Sequence, residues 1–156
     1  MKSLFAVALP LYALDQATKW WIVKTFAPYE QRVVVEDFFD LCHFRNTGAA
    51  FSIGTGNNTF FILLSVAALI ALLVAYARGV FRDALSRWGV ALLLAGILGN
   101  LTDRLIHGSV VDFLLFDLHV RFASPWPAFN VADSLIFIAV ALFLVGSFFE
   151  KKSVPA

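Results

Sequence analysis

The chain has 156 residues, of which 60% are hydrophobic and 15% charged, and its mean hydropathy is +0.81. Soluble domains carry roughly 25% charged residues, so this composition excludes an ordinary water-soluble domain and indicates a membrane protein. The net charge of +1 provides no strong field to attract nucleic acid. The single cysteine, Cys42, excludes an internal disulfide, a four-cysteine zinc site and a CxxC redox pair. We therefore expect no nucleic-acid partner, no metal and no cofactor.

Four segments are long and apolar enough to cross a bilayer core, which needs about 20 helical residues. They cover residues 4–23, 59–76, 88–106 and 129–149. No small-x-small cleavage site follows the first segment, which favours a span over a removable signal peptide. The sequence therefore predicts an all-α membrane protein, a four-transmembrane-helix bundle that forms a single domain over residues 1–156.

Two connections between these spans have the patterns of strands. Residues 27–53 contain the β-branched and aromatic run RVVVEDFFDLCHF, and residues 110–122 read VVDFLLFDLHVRF, in which DLHVRF alternates polar and apolar residues. We expect a small extracytoplasmic β-sheet on the membrane surface, with an irregular loop as the alternative. His43 and His119 fall in these strands, where we expect surface or interfacial positions.

Basic residues favour the cytoplasmic ends of membrane helices. With a cytoplasmic N-terminus, the inner side receives a group of basic residues with few acidic neighbours: Lys2, Arg78, Arg82, Arg87, Lys151 and Lys152. Basic residues of the other connections are accompanied by many acidic ones. We therefore expect both termini in the cytoplasm and the strands on the outer side.

Polar side chains from separate segments then converge at the outer face of the membrane. Ionisable groups in or near hydrocarbon are costly and usually face a bundle interior or a wet cavity, so we expect an outer polar pocket. Its predicted members are Asp15, Gln16, Lys19, Asn46, Asn100, Asp103, Arg104, Asp112, Asn130 and Asp133.

Some of these residues also have structural explanations. Asn130 and Asp133 have the spacing of a helix-capping pair. Asp15 and Lys19 lie at i,i+4 and can neutralise each other.

Three further residues have different alternatives. Asp103 lies near a helix C-terminus, where the helix dipole disfavours an anion, so it needs a partner such as Arg104 or His107. Asn100 suits an interhelical hydrogen bond. Asp112 has no obvious cap or ion-pair partner within its apolar run VVDFLL, and its alternative is an exposed strand position.

Carboxylates are the plausible catalytic groups of this chain. HExxH, GxSxG and SxxK motifs are missing from the sequence, and a serine without a nearby base is inert. Two aspartates close together in a low-dielectric site share one proton, so one can take a proton from water while the other polarises a carbonyl. Asp112 and Asp133 are the pair we expect, with no separate assignment of acid and base.

Five blocks of sequence resemble the lipoprotein signal peptidase family, the bacterial signal peptidase II. They are specific because they occur in the family's order across most of the chain: DQATK at 15–19, NTGAAF at 46–51, GILGNLTDR at 96–104, VVDF at 110–113 and FNVADS at 129–134. The family often has two glycines ahead of the GN pair, whereas this chain has Ala95 at the first position. That difference places close helix packing in doubt.

The resemblance implies an intramembrane aspartyl endopeptidase of the bacterial inner membrane. Its substrates would be diacylglyceryl-modified prolipoproteins, cut before the lipidated cysteine. Its other contacts would be membrane lipids, and we expect the enzyme to be a monomer. Asp112 and Asp133 would form the catalytic dyad, with Asp15 and Lys19 as supporting residues. The remaining pocket residues implied by the family are Asn46, Gly48, Asn100, Asp103, Arg104 and Asn130.

Two other classes of function remain open on sequence grounds. A small transporter or channel subunit also uses intramembrane polar residues, although here these residues do not continue to the cytoplasmic side. A structural subunit would use the same residues only to join helices.

Overall fold

The computed structural model describes residues 2–48, 54–120 and 125–149, and this part of the chain contains four helices and three strands. In chain order they are α1 (Lys2–Thr25), β1 (Gln31–Val35), β2 (Phe39–Asn46), α2 (Asn58–Ala77), α3 (Ala84–His107), β3 (Val110–Phe116) and α4 (Val131–Phe149). All four segments predicted to be helical are confirmed as helices, with ends shifted by a few residues.

Three of these helices, α2, α3 and α4, are long and apolar enough to cross a membrane. The expected membrane character is thereby confirmed. Helix α1 is as long as α3, but its second half contains Asp15, Gln16 and Lys19, which lower its apolar character. Its role as a fourth span stays a prediction.

Helix α3 lies at the centre of the fold, because it packs against the three other helices. In the most apolar stretch of α3, 67% of the residues are buried, whereas the corresponding share is 6% in α2 and 17% in α4. The main apolar core joins all four helices at the end of the bundle where α1 begins, and it contains Leu4, Ala8, Leu72, Val90, Ala91, Leu94, Ala95 and Leu135.

Small residues allow α3 and α4 to approach closely. A Cβ atom added to Gly96 would lie 2.6 Å from the carbonyl oxygen of Ala132, and one added to Gly99 would collide with the carboxylate of Asp15. Ala95, the departure from the family's usual glycine, is fully buried in the apolar core. Close helix packing is therefore retained, with Gly96 and Gly99 at the tightest points.

The strands form one antiparallel sheet with the order β1-β2-β3. Asp37 adopts a left-handed backbone conformation, with φ of 56°, in the turn that joins β1 to β2. Strand β2 pairs with β3, with Phe44 opposite Asp112, and the register shifts between Leu41 and Phe44. The sheet follows the ends of α1 and α3 and precedes the starts of α2 and α4, so it lies at one end of the bundle.

A second apolar cluster attaches the sheet to the bundle. Ile22 and Phe26, at the end of α1, pack with Val111 and Phe113 of β3. The polar residues of the predicted pocket therefore lie between two apolar clusters. This arrangement keeps them away from the end of the bundle where α1 begins.

Two details of the strand predictions are wrong. Within DLHVRF, residues 117–119 are not a strand: the backbone N–H of His119 donates to the side chain of Asp117, and His119 has a φ of 52°. This local turn overrides the alternating pattern, while residues 121 and 122 lie outside the described residues. His43 is buried rather than at the surface, because its Nδ1 bonds the carbonyl oxygen of Phe26 at the end of α1.

Candidate active site

The first turn of α4 is closed by a reciprocal pair of hydrogen bonds. The backbone N–H of Asp133 donates to Asn130 Oδ1 at 2.9 Å, and the backbone N–H of Asn130 donates to Asp133 Oδ2 at 3.2 Å. The predicted capping pair is thus confirmed. Because Asn130 uses its oxygen for the cap, its amide nitrogen is free to donate to other groups, and it donates to Asp112 Oδ1 at 2.8 Å. One residue therefore joins the two candidate catalytic aspartates.

Asp112 lies on β3, where the neighbouring strand carries a second amide toward it. Asn46 donates from Nδ2 to Asp112 Oδ2 at 3.0 Å, and the Asn46 oxygen accepts the backbone N–H of Gly48 at 2.9 Å. Only 3% of Asp112 is exposed. Burial, followed by the negative charge of Asp133, raises the pKa of Asp112 to about 7. This carboxyl is therefore able to keep a proton near neutral pH.

Asn100 of α3 contacts the second aspartate from the opposite side. Its Nδ2 donates to Asp133 Oδ1 at 2.7 Å. Its Oδ1 accepts from Lys19 Nζ at 3.0 Å and from Asn130 Nδ2 at 3.3 Å. The interhelical hydrogen bond expected of Asn100 is therefore present, and it ends on a candidate catalytic group.

Behind Asn100 lies a buried ionic cluster that joins three helices. Lys19 Nζ lies 3.0 Å from Asp15 Oδ2 and 3.3 Å from Asp103 Oδ2. Asp15 Oδ1 accepts the backbone N–H of Ala132 at 2.8 Å, and Gln16 donates to both carboxylates. The predicted pair of Asp15 and Lys19 is confirmed.

The partner of Asp103 differs from the prediction. We expected Arg104 or His107, but Asp103 pairs with Lys19 of α1 and accepts the backbone N–H of Val111 at 3.0 Å. Lys19 reaches Asp103 because α1 packs directly against α3, so the partner came from another helix.

Arg104 contacts the segment that follows β2. Its Nη2 donates to the carbonyl oxygen of Gly48 at 2.9 Å, and its guanidinium lies 5.3 Å from the ring centre of Phe61. Arg104 and Gly48 also line a cavity that Asp112 and Asp133 line, so this cation faces the same space as the two aspartates.

A cavity of about 870 Å³ opens beside the two aspartates. Asp112 and Asp133 line it together with Asn46 and Asn100, and most of the remaining lining is apolar, from β3, the chain before α4, and α4 itself. A smaller cavity of about 200 Å³ shares Asn46 and Asp112 with it. The arrangement is suited to a long apolar ligand with one polar, reactive point.

The structure brings together the residues singled out in the sequence. Asp15, Lys19, Asn100, Asp103, Asn130, Asp112, Asn46 and Asp133 form one connected set of hydrogen bonds and ion pairs, and Arg104 and Gly48 join it at the cavity. Among the described residues, no group of three or more His, Cys, Asp or Glu side chains is placed to hold a metal ion.

Sequence reasoning missed two kinds of site residue. Trp126, Phe129 and Phe137 line the cavity, but isolated aromatic residues in an aromatic-rich chain provide no signal for this role. The backbone N–H of Ala132 anchors Asp15, and a backbone donor is invisible in a sequence. Gln16, noted only as polar, bridges Asp15 and Asp103.

A buried aspartate, Asp112, and a half-buried one, Asp133, that face an apolar cavity at one end of a helical membrane fold are the features of a membrane aspartic peptidase. The family model for signal peptidase II matches residues 7–149. The chain belongs to the signal peptidase II family, a family of aspartic peptidases. The resemblance stated from the sequence motifs is therefore confirmed.

Individual relatives agree with this assignment. The lipoprotein signal peptidase of Neisseria meningitidis is 40% identical over 153 residues, covering 96% of this chain and 90% of the relative. That of Syntrophotalea carbinolica is 41% identical over 147 residues, covering 92% and 89%. A bacterial membrane enzyme solved at 2.3 Å is similar with a TM-score of 0.86 and 31% identity, covering 100% of this chain and 95% of the other.

Proposed function

We propose that the chain is an intramembrane aspartyl endopeptidase that removes signal peptides from diacylglyceryl-modified prolipoproteins, cutting before the lipidated cysteine. Asp112 and Asp133 are its catalytic dyad. The observation that carries this proposal is the pair of carboxylates linked through Asn130 at the wall of a large apolar cavity. Family membership supports the enzyme class and the substrate class.

In this mechanism the dyad holds one proton, and the ionised carboxylate takes a proton from water. The water oxygen attacks the scissile carbonyl carbon while the protonated carboxyl donates a hydrogen bond to the carbonyl oxygen. Collapse of the tetrahedral intermediate breaks the C–N bond, and the leaving nitrogen receives a proton from the dyad. Amide donors from Asn46, Asn100 and Asn130 fix both carboxylates in position throughout.

The shape of the cavity supports a lipid-anchored substrate. Its wall is mostly apolar, and it includes the aromatic residues Phe116, Trp126 and Phe137. Acyl chains and an apolar signal helix bury their surface there without desolvating polar groups. Arg104 and Asn46 provide polar atoms on the same wall for substrate carbonyl or ester oxygens.

We further propose that α1 is the fourth transmembrane span, and that both termini lie in the cytoplasm with the sheet and the dyad toward the outer face. The charged residues Asp15 and Lys19 are buried against the other helices, while Leu9 and Leu14 of α1 are about half exposed, as a lipid-facing surface requires. Arg78, Arg82 and Arg87 lie at the opposite end of the bundle from the sheet, as the excess of positive charge inside the cell requires.

The transporter alternative fits the structure less well. Along the described residues, the polar network stays at the end near the sheet, and the other end is filled by the apolar core around Leu4, Leu72 and Val90. A conduction path needs polar groups or water through the full depth of the membrane.

The test is cleavage of a diacylated precursor by Asp112→Asn and Asp133→Asn variants. Each should lose at least roughly 100-fold in rate, the lower end for removal of a general acid or base, while remaining folded. Asp37→Asn is the matched control: it makes the same chemical change in an exposed turn of the same sheet, and asparagine tolerates the left-handed conformation there.

Comparison of the diacylated precursor with its unlipidated form tests the substrate class. We expect efficient cleavage of the diacylated form only. Retained cleavage by either dyad variant would refute the assignment of the dyad, and equal cleavage of both precursors would refute the lipid-specific function.

A further inference from the structure

Lys19 is a buried cation whose three donors all have defined acceptors. Only 3% of its surface is exposed, and its ammonium group contacts Asp15 at 3.0 Å, Asp103 at 3.3 Å and Asn100 Oδ1 at 3.0 Å. An ammonium group has three donors and no acceptor, so this set uses its full capacity. Two of these contacts neutralise carboxylates, and the third ends on an amide that itself contacts Asp133.

The contact with Asn100 determines which way this amide points. An ammonium group only donates, so the oxygen of Asn100 must face Lys19 and the NH2 group must face Asp133. The reversed amide would place an oxygen against Asp133 Oδ1, which an ionised carboxylate disfavours. Asn130 also donates to Asn100 Oδ1, but at 3.3 Å, and its NH2 group has Val111 O and Asp112 as further acceptors. Lys19 is therefore the stronger anchor of the amide.

We propose that Lys19 is a positioning residue for the catalytic dyad, acting through Asn100. Its ammonium group holds the side-chain amide of Asn100 so that the NH2 group always faces Asp133. Its positive charge favours the state in which one of the two aspartates, Asp112 and Asp133, is ionised. This inference rests on the proposed peptidase function and extends it by one residue that touches neither aspartate of the dyad. Lys19 is not among the described residues that line either cavity, so it does not contact substrate there.

The electrostatics agree in direction with this role. The positive charge of Lys19 lowers the pKa of Asp112, acting against burial and the charge of Asp133. The other charged groups around Lys19 and the dyad are Asp15 of α1, Asp103 and Arg104 of α3, and the dyad itself. Removal of Lys19 therefore removes a cation from a region rich in carboxylates, and the pKa of Asp112 should rise.

The decisive variant is Lys19→Met, which keeps a long apolar stem and removes the ammonium group. We expect kcat on the diacylated precursor to fall roughly 10- to 100-fold, the range for loss of one hydrogen bond to a charged group. KM should stay nearly constant because Lys19 does not contact the cavity. The pH profile of kcat should shift to higher pH, because the dyad then binds its protons more tightly.

Lys24→Met is the matched control, with the same change at an exposed position at the end of the same helix. It should leave kcat, KM and the pH profile unchanged. A folded Lys19→Met enzyme with the kcat and pH profile of the unaltered protein would overturn the inference. A change confined to KM would overturn it as well, since it would indicate substrate contact.

Loss of Lys19 leaves the buried carboxylates of Asp15 and Asp103 without a cation, so the single variant Lys19→Met is at risk of misfolding. The double variant Lys19→Met with Asp103→Asn avoids this change in local charge. In the unaltered protein Asp15, Lys19 and Asp103 carry −1, +1 and −1, which sum to −1. In the double variant only Asp15 is charged, so the sum is again −1. It should show the same fall in kcat, because the hydrogen bond to Asn100 is lost in both variants, whereas the shift of the pH profile should be smaller, because loss of the Asp103 charge offsets part of the loss of the cation. An unaltered enzyme that does not cleave the diacylated precursor would refute the proposed function instead, so the two failures are distinguishable.

Discussion

Replacement of Gly96 by alanine should weaken the packing of α3 on α4. The added Cβ atom would lie 2.6 Å from the carbonyl oxygen of Ala132 and 2.7 Å from Cγ1 of Ile136. One of these contacts is backbone, so the conflict is relieved only by movement of one helix away from the other. Overpacking of this kind costs about 1–3 kcal/mol.

The helix propensity of alanine acts in the opposite direction. Alanine is favoured over glycine in a helix by about 1 kcal/mol, so the net loss for Gly96→Ala should reach up to about 2 kcal/mol. For a chain of this size, about 1 kcal/mol corresponds to roughly 2–4 °C in Tm, so we expect a decrease of several degrees. Ala132 directly precedes Asp133, so the displacement should also lower kcat.

Gly146→Ala is the matched control, because a Cβ atom at Gly146 would meet no atom within 4 Å. Gly146 also lies inside a helix, so Gly146→Ala gains the higher helix propensity of alanine without a steric clash. This variant should therefore unfold at the same or a higher temperature than the unaltered protein. The measurement is thermal unfolding in detergent, followed by far-ultraviolet circular dichroism. Equal unfolding temperatures for the two variants would refute the argument that α3 and α4 are at their closest packing distance.

Three further outcomes are expected. Because burial and the charge of Asp133 raise the pKa of Asp112 to about 7, the dyad should lose its shared proton and kcat should fall as the pH rises through about 7. Asn46→Ala should move this fall to higher pH, since its hydrogen bond lowers the pKa of Asp112; an unmoved profile would contradict the role of that bond. For topology, a membrane-impermeant maleimide on intact cells should label Asp37→Cys in the sheet but not Arg82→Cys between α2 and α3, and the reverse pattern would contradict the proposed orientation. The native thiol of Cys42 should add little background, because it is buried and burial raises its pKa to about 12.

The helices were predictable because their signal is local. A run of about 20 apolar residues has few alternatives to a membrane-spanning helix, and α2 and α4 show this pattern almost without interruption. The capping pair of Asn130 and Asp133 was also predictable, because both partners lie in one turn. The position of Asp15 and Lys19 on one helix face followed from their spacing in the same way.

Long-range partners were not predictable in this way. Sequence spacing suggested Arg104 or His107 as the partner of Asp103, whereas the partner is Lys19, more than eighty positions away. His43 was expected at a surface or interfacial position because no acidic or cysteine residue at metal-site spacing accompanies it, but the end of α1 covers it and leaves it buried. In both cases the deciding neighbour comes from another element.

By itself, the sequence determined the membrane class, the four helices, the family and the set of polar residues at one end of the bundle, because composition, hydrophobic length and motifs are properties of the chain read in order. Only the tertiary structure decided how those residues connect: that Asn130 joins Asp112 and Asp133, that Lys19 reaches Asp133 through Asn100, and that an apolar cavity opens beside them. Hydrogen bonds and cavities depend on distances between separate elements, and those distances are set by the packing of α3 against its neighbours.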